Sequence, residues 1–262
     1  MEQAIYITSL RSLEKHFKKK YTRVYFGAEF CERLIQPEAE LSRVMEYAKR
    51  EKAAFTYVTP YVSNKGVETL KKRLSFLKEK APETEIVVND WGIFHVITRD
   101  FAGFPLLLGR LMSKQKRGPR IMNVLDKVPE AMIDHFRRGT TDVPVFMEFV
   151  RKKGVVRLEY DNLLQGIERN NPLPGSLYYP YAYVSTTRKC LVNSCDVERP
   201  SMQAIFPCKF ECRKYSFTLT HKEMPVPLEL YGNTQFFKND KLPGNLDKLK
   251  FDRLVFEPEI PL

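Results

Sequence analysis

The stretch AIYITSLRSLEKHFKKKYTRVYFGA, residues 4–28, contains the strand and helix patterns from which the fold class is predicted. It begins with a short apolar, β-branched run, and a second run of this kind covers residues 23–28. Between the two runs, apolar residues repeat at helical spacing, and Ser9 can cap a helix across residues 10–20. A strand, a helix and a strand in this order predict a parallel βαβ unit.

The same alternation continues through the rest of the chain. Helical patterns cover residues 37–52, 64–80, 91–100 and 142–154. Strand-like runs cover residues 53–62, 85–90, 105–110, 155–161, 177–188, 215–222, 227–237 and 251–258. With about eight alternating strands and a length of 262 residues, an α/β fold of the TIM-barrel type is favoured over an open sheet. We expect one domain, 1–262, with an irregular cysteine-rich segment at 188–214 and a β-rich C-terminal part.

The chain is basic, with a formal net charge of +11 and a pI of about 9.3. Such a charge is one footprint of nucleic-acid binding, but it also fits a lysine-rich solvated surface. The run SKQKRGPR, residues 113–120, reads as a loop that could bind a phosphate or a carboxylate. The first residues do not resemble a signal or transit peptide, and no apolar run approaches the length of a membrane span. We therefore expect a cytoplasmic protein with reduced thiols.

Five cysteines give the strongest chemical signal. Cys195, Cys208 and Cys212 form a Cys-x12-Cys-x3-Cys pattern, Cys190 lies just upstream, and Cys31 follows the second strand. Clustered thiolates bind iron–sulfur clusters or zinc. A four-iron cluster needs four ligands, and Cys31 is a candidate to join the three late cysteines. Zinc stays open, because Cys208–Cys212 and Cys190–Cys195 could form two ligand pairs.

Polar residues at the ends of predicted strands are the other candidates for function. Asn89 and Asp90 follow one strand, and Arg110 follows the next. In a barrel, catalytic groups gather at the carboxyl ends of the strands, so Asn89 and Asp90 are candidate catalytic residues. The alternative for this pair is an Asn-Asp turn or a helix cap. Arg110 could bind the carboxylate of a substrate or could form an ordinary ion pair.

Four segments resemble the collagenase-like peptidase family of unassigned catalytic type, and within it the UbiU/UbiV-like branch. They are VYFGAEFCERL at 24–34, VVNDWGIF at 87–94, LEYDNLLQGI at 158–167 and the cysteine segment. The resemblance implies a TIM-barrel-like fold and a four-iron, four-sulfur cluster held by Cys31, Cys195, Cys208 and Cys212. Cys190 has no counterpart in the family pattern, which leaves it as a spare or substitute ligand.

The resemblance also implies a function. Its members take part in oxygen-independent hydroxylation of ubiquinone precursors or of RNA bases, and prephenate is implied as the oxygen donor in several of them. A small-molecule aromatic or quinone-precursor substrate is the first hypothesis, and a second family member is a possible heterodimer partner. RNA base hydroxylation and a non-catalytic, metal-stabilised partner subunit are the alternatives. Peptidase activity has no support from any residue motif in the chain.

Overall fold

A computed structural model describes residues 1–197 and 207–262. Its strands are β1 (Glu2–Ile7), β2 (Arg23–Gly27), β3 (Ala54–Val58), β4 (Glu85–Val88), β5 (Leu106–Leu108), β6 (Val155–Asp161), β7 (Gly175–Tyr179), β8 (Tyr181–Thr186), β9 (Ser216–Leu219), β10 (Leu228–Tyr231), β11 (Thr234–Lys238) and β12 (Phe251–Phe256). Its helices are α1 (Leu10–His16), α2 (Glu38–Arg50), α3 (Asn64–Lys80), α4 (Trp91–Asp100), α5 (Arg110–Ser113), α6 (Glu130–Arg137) and α7 (Pro144–Lys152). Short 3-10 turns connect several of these elements.

Eight parallel strands close a barrel in the order β1-β12-β7-β6-β5-β4-β3-β2. Helices connect most of the consecutive strands, which confirms the predicted α/β fold of the TIM-barrel type. The strand that closes the ring is β12, which pairs in parallel with both β1 and β7. The chain therefore completes its barrel only with its last strand.

Local sequence explains where the elements begin and end. The side chain of Ser9 accepts a hydrogen bond of 3.2 Å from the backbone N–H of Ser12, so it caps α1 as predicted. Helix α1 ends at His16, earlier than predicted, because the chain turns through the lysine run to bury Tyr21 before β2. At the end of β2, a side chain at Gly27 would collide with the backbone of Val58, so only glycine fits there.

Two apolar layers support the barrel. The outer layer lies between strands and helices, where Leu70, Leu74 and Leu77 of α3 are fully buried. Inside the ring, Tyr178 packs edge-on against Tyr6 and Tyr25, with ring centroids 6.1 and 5.8 Å apart. The barrel interior is therefore a packed core and not a channel.

The predicted strand region 177–188 is divided between two sheets at Pro180. Strand β7 belongs to the barrel, and β8 starts a four-stranded antiparallel sheet in the order β8-β11-β10-β9. Proline lacks the N–H that would continue the ladder, so it is well placed at this division. Residues 180–250, which we call the excursion, thus form an insertion between the last two barrel strands and carry the late cysteines. Among the described residues, no helix is long and apolar enough to cross a membrane.

Candidate functional site

The carboxyl ends of the barrel strands bring together five charged residues that we call the mouth network. They are Glu29, Arg110, Arg117, Asp161 and Glu257, and all are buried. Four of them follow or end strands β2, β5, β6 and β12, and Arg117 lies in the loop after α5, so residues from several strand ends meet here. Glu257 was not predicted as a site residue, and Arg117 was predicted only as part of the loop 113–120 that could bind a phosphate or a carboxylate. The position of Glu257 directly after a strand was the signal that could have found it.

Arg110 lies at the centre of the mouth network and is fully buried. Its Nη1 donates to Asp161 Oδ1 at 2.6 Å, and its Nη2 donates to Glu29 Oε2 at 2.5 Å and to Glu257 Oε1 at 2.8 Å. Its guanidinium also lies over the ring of Tyr178, 4.1 Å from the centroid. The protein's own carboxylates thus occupy the donors that a substrate would need. Substrate binding by Arg110 stays a prediction, and a substrate carboxylate would have to displace one of these partners.

The electrostatics of the mouth network follow from its burial. Burial raises the pKa of Glu257 to about 8, although the nearby Arg110 acts in the opposite direction. Arg110 keeps a raised pKa because the carboxylates of Glu257 and Glu29 outweigh the burial that would lower it. Burial lowers the pKa of Arg117 to about 10, even though its guanidinium contacts Asp161. Three carboxyl groups face two guanidiniums, so one retained proton balances their charge.

Asn89 and Asp90 have clear structural partners. Asn89 is buried, donates to the carbonyl of Thr59 at 3.0 Å and accepts from the N–H of Leu111 at 3.1 Å. Asp90 caps α4 by accepting from Ile93 N at 3.0 Å. Both side chains therefore hold loops at the barrel mouth, as the helix-cap alternative proposes. A catalytic role for either residue stays a prediction.

A second feature near the mouth is a cavity of about 370 Å³, which we call the thiol cavity. Four cysteines line it: Cys31, Cys190, Cys208 and Cys212. Three of the four predicted metal ligands are thus brought together, with Cys190 as the fourth thiol. Cys195, which also belongs to the described residues, lies outside this lining.

Separate parts of the chain position these thiols. Cys31 follows β2 and precedes a 3-10 turn, while Cys212 lies in a second 3-10 turn, Glu211–Arg213, within the excursion. The Asn233 side chain joins the two parts, because it donates to the carbonyls of Phe30 and Thr187, both at 2.7 Å. The thiol cavity therefore lies where the excursion contacts the loop after β2.

Burial and the neighbouring cysteines raise the pKa of three thiols of the cavity. Burial raises the pKa of Cys212 to about 11, and the neighbouring Cys190, Cys31 and Cys208 raise it further. Burial also raises the pKa of Cys31 and of Cys190, which backbone N–H groups directed at each sulfur partly offset. A raised pKa favours the neutral thiol form of Cys31, Cys190 and Cys212. Binding of a soft metal would remove their protons.

Backbone donors around the sulfurs fit thiolate ligation. The N–H of Phe210 donates to the Cys208 sulfur at 3.4 Å, and the N–H groups of Arg33 and Leu34 are directed at Cys31. Hydrogen bonds of this kind stabilise thiolates and tune metal centres. As the side chains are placed, no three His, Cys, Asp or Glu residues of the described ranges converge on one metal ion. The four cysteines share the lining of the cavity with other side chains, among them Arg33, Arg188 and Lys189.

Comparisons with known proteins add little to this description. The chain matches no family model, and no curated protein matches its sequence. Among solved structures, the U32 peptidase Mk0906 is similar at 8% identity and a TM-score of 0.48, over 99% of this chain and 93% of that one. A glycoside hydrolase family 18 N-acetylglucosaminidase from Paenibacillus barengoltzii is similar at 9% identity and a TM-score of 0.39, over 97% and 94%. The first belongs to the family that the sequence resembles, but at these values neither likeness carries an argument about activity.

Proposed function

We propose that this protein holds a four-iron, four-sulfur cluster in the thiol cavity. In this proposal it takes part in oxygen-independent hydroxylation, or related redox chemistry, on an aromatic or quinone-precursor substrate. The observation that supports it most is the gathering of four soft thiols from distant segments around one cavity. Cys31, Cys208 and Cys212 belong both to this lining and to the ligand set that the family resemblance implies.

The donor set suits a cluster better than a single zinc ion. A zinc ion bonds each sulfur at about 2.3 Å, so its four sulfurs must meet closely around one point. In a four-iron cluster each cysteine binds a different iron, so the sulfurs surround a larger group. The four cysteines line a cavity of about 370 Å³, and no three of these described residues converge on one metal ion, which favours the second arrangement. When bound, a cluster closed by four thiolates would supply electron transfer, and one with an open iron would supply a Lewis acid.

An anionic substrate or oxygen donor fits the surroundings of the thiol cavity. Arg33, Arg188 and Lys189 line it and are exposed, so their positive charges can meet a ligand from solvent. Arg110, by contrast, is buried and paired with carboxyl groups of the protein. Guanidinium groups bind carboxylates in a bidentate way, and prephenate is an acid of this kind. We propose that Arg33 and Arg188 bind the donor's carboxylate, with Lys189 adding positive charge.

Anaerobic purification tests the proposed cluster directly. The protein should be brown, with about four irons and matching acid-labile sulfide per chain, as a four-thiolate cluster requires. A broad visible absorption that bleaches on reduction should accompany the metal. Stoichiometric zinc without sulfide would overturn the proposal and favour a structural metal site.

RNA base hydroxylation is the alternative that the charge of +11 suggests. Specific RNA binding normally combines a basic surface with exposed aromatic side chains that stack on bases. We expect only weak RNA binding that decreases steeply with salt, because phosphate contacts would dominate it. Tight binding of a defined RNA at physiological salt would favour this alternative.

A partner subunit is the second alternative, and one surface supports it. Trp91 on α4 and Phe149 on α7 pack together yet remain largely exposed, and Val145 beside them is 77% exposed. Exposed apolar patches of this kind often mark protein interfaces. We propose a second member of the same family as the partner. Light scattering of the two proteins, alone and mixed, tests this, and Val145→Glu should prevent the heterodimer without lowering the iron content.

A further inference from the structure

Two cysteines five residues apart, Cys190 and Cys195, compete for the fourth ligand position of the proposed cluster. The spacing of the sequence and the family resemblance favour Cys195. In the structure, Cys190 lines the thiol cavity with Cys31, Cys208 and Cys212, while Cys195 lies outside the lining. The inference below rests on the proposed function and concerns which of these two thiols binds the metal.

The carboxylate of Glu211 fixes the segment that carries both candidates. Glu211 is buried, and its Oε1 accepts from Ser194 N at 2.9 Å and from Asn193 Nδ2 at 3.2 Å. Its Oε2 accepts from Lys209 N at 3.1 Å. One side chain thus joins the turn after Cys190 to the turn that precedes Cys212. The relative position of the two turns is set before any metal binds.

Packing of the same segment determines which thiol faces the cavity. Val192 is fully buried, and its N–H donates to the carbonyl of Gly232 at 3.2 Å. The N–H of Asn193 donates to the carbonyl of Cys190, so a tight turn starts at Cys190. Ser194 then adopts a left-handed conformation, with φ of +59°, before Cys195. In the turn held by these contacts and by Glu211, the thiol that lines the cavity is that of Cys190 and not that of Cys195.

The geometry points to Cys190 as the fourth thiolate of the cluster, in place of Cys195. The ligand set is then Cys31, Cys190, Cys208 and Cys212. Each thiol releases its proton to solvent as its sulfur bonds to iron, so no oxidant or reductant is consumed by ligation. Cys195 remains a free thiol next to the site.

Matched serine variants test this assignment. Cys190→Ser and Cys195→Ser each replace a sulfur by an oxygen, at positions five residues apart. Circular dichroism checks that both variants fold. After anaerobic reconstitution with equal amounts of ferric and ferrous iron and with sulfide, Cys190→Ser should lose most of its iron, sulfide and visible absorption. Cys195→Ser should keep values close to those of the wild type. Loss in Cys195→Ser alone, equal loss in both variants, or loss in neither would each overturn the assignment.

A second measurement separates this inference from the proposed function. If the wild type binds no iron or sulfide, the proposed function fails, and a different soft metal is needed to read out the thiols. Excess cadmium serves as that probe, because several cadmium ions can share the thiolates of one cavity without sulfide. With cadmium present, Cys190 should be protected from N-ethylmaleimide together with Cys31, Cys208 and Cys212, while Cys195 reacts. Protection of Cys195 with reaction of Cys190, or the same reactivity at both, overturns the ligand assignment whatever the iron result.

Discussion

The mouth network and the thiol cavity are neighbours, but the polar groups of the first are paired with one another and those of the second line open space. Glu29 belongs to the first and Cys31 to the second, only two residues later. In the mouth network, every charged group is buried against a partner of opposite charge. In the thiol cavity, four cysteines and three exposed cations line open space.

From this contrast we infer that the mouth network supports the fold and that the thiol cavity receives a ligand. Buried charges that satisfy one another fix a single arrangement of strand ends, and removal of one leaves the others unpaired. Thiols gathered in a cavity have no such partners of their own, and a bound metal would supply them. Substitutions should therefore affect folding in the mouth network and metal or ligand binding in the thiol cavity.

The largest expected effect is on the metal. Cys208→Ser should lose most of the iron of the anaerobically prepared protein, because the serine oxygen is a poor ligand for a soft metal. Its free energy of unfolding should match that of iron-free wild type within about 1 kcal/mol, since the side chain is only half-buried. Iron assay and urea denaturation measure the two quantities. A variant that retains its iron would contradict the proposed site.

The next effect is on stability at the mouth network. Arg110→Ala should lower the free energy of unfolding by about 3–5 kcal/mol, because it leaves the buried carboxyl groups of Glu29, Asp161 and Glu257 without their central cation. Chemical denaturation of the iron-free protein measures this. Arg43→Ala, at an exposed position on α2, is the control and should change stability by less than about 0.5 kcal/mol. A loss below about 1 kcal/mol for Arg110→Ala would show that the network does not support the fold.

A third effect is a pH dependence of the free energy of unfolding that Glu257 causes. Burial raises its pKa from the usual 4.5 to about 8, so the folded protein keeps a proton that the unfolded chain releases. The resulting stability is present below pH 4.5 and is lost as pH rises towards 8. The slope for one proton is at most about 1.4 kcal/mol per pH unit. Glu257→Gln should flatten this part of the stability profile, measured by denaturation from pH 5 to 9. An unchanged slope would place the proton on another group.

The smallest effect concerns the cations around the thiol cavity. Arg188→Glu should weaken prephenate binding about tenfold, which corresponds to about 1.4 kcal/mol, because it replaces an attractive charge by a repulsive one. Titration calorimetry on the anaerobic protein measures the affinity. Arg43→Glu makes the same charge change away from the cavity and should leave the affinity nearly unchanged. Equal weakening in both variants would indicate only an effect of net charge.

Much of the fold could be predicted from the sequence, because its signals are local. Apolar runs and helical repeats, as in residues 64–80, show strands and helices directly, and their alternation indicates the barrel. The division at Pro180 was harder to predict, since 177–188 reads as one apolar stretch. Only tertiary pairing decides that β7 joins the barrel and β8 another sheet. The predicted helix 10–20 was too long because burial of Tyr21 overrides the helical preference of the lysines.

The candidate site was predictable as a set of residues but not as a set of partners. Residues following strand ends were expected to meet, and Glu29, Arg110 and Asp161 do meet. Sequence could not show that Arg110 would be paired on all sides, because pairing depends on strands far apart in the chain. Likewise, linear spacing cannot show which side of a turn a thiol faces, so it does not distinguish Cys190 from Cys195.

The closure of the barrel by β12 has a consequence for how the protein is made. Strand β1 is synthesised long before β12, so the edge of β1 that pairs with β12 stays unpaired until β12 has been made. During elongation this edge, with Ala4 and Ile5 along it, is an unpaired apolar template of the kind that recruits other chains. Contacts between such distant segments also form slowly. Newly made chains are thus most open to aggregation before β12 emerges, and chaperones that cover strand edges would act at that stage.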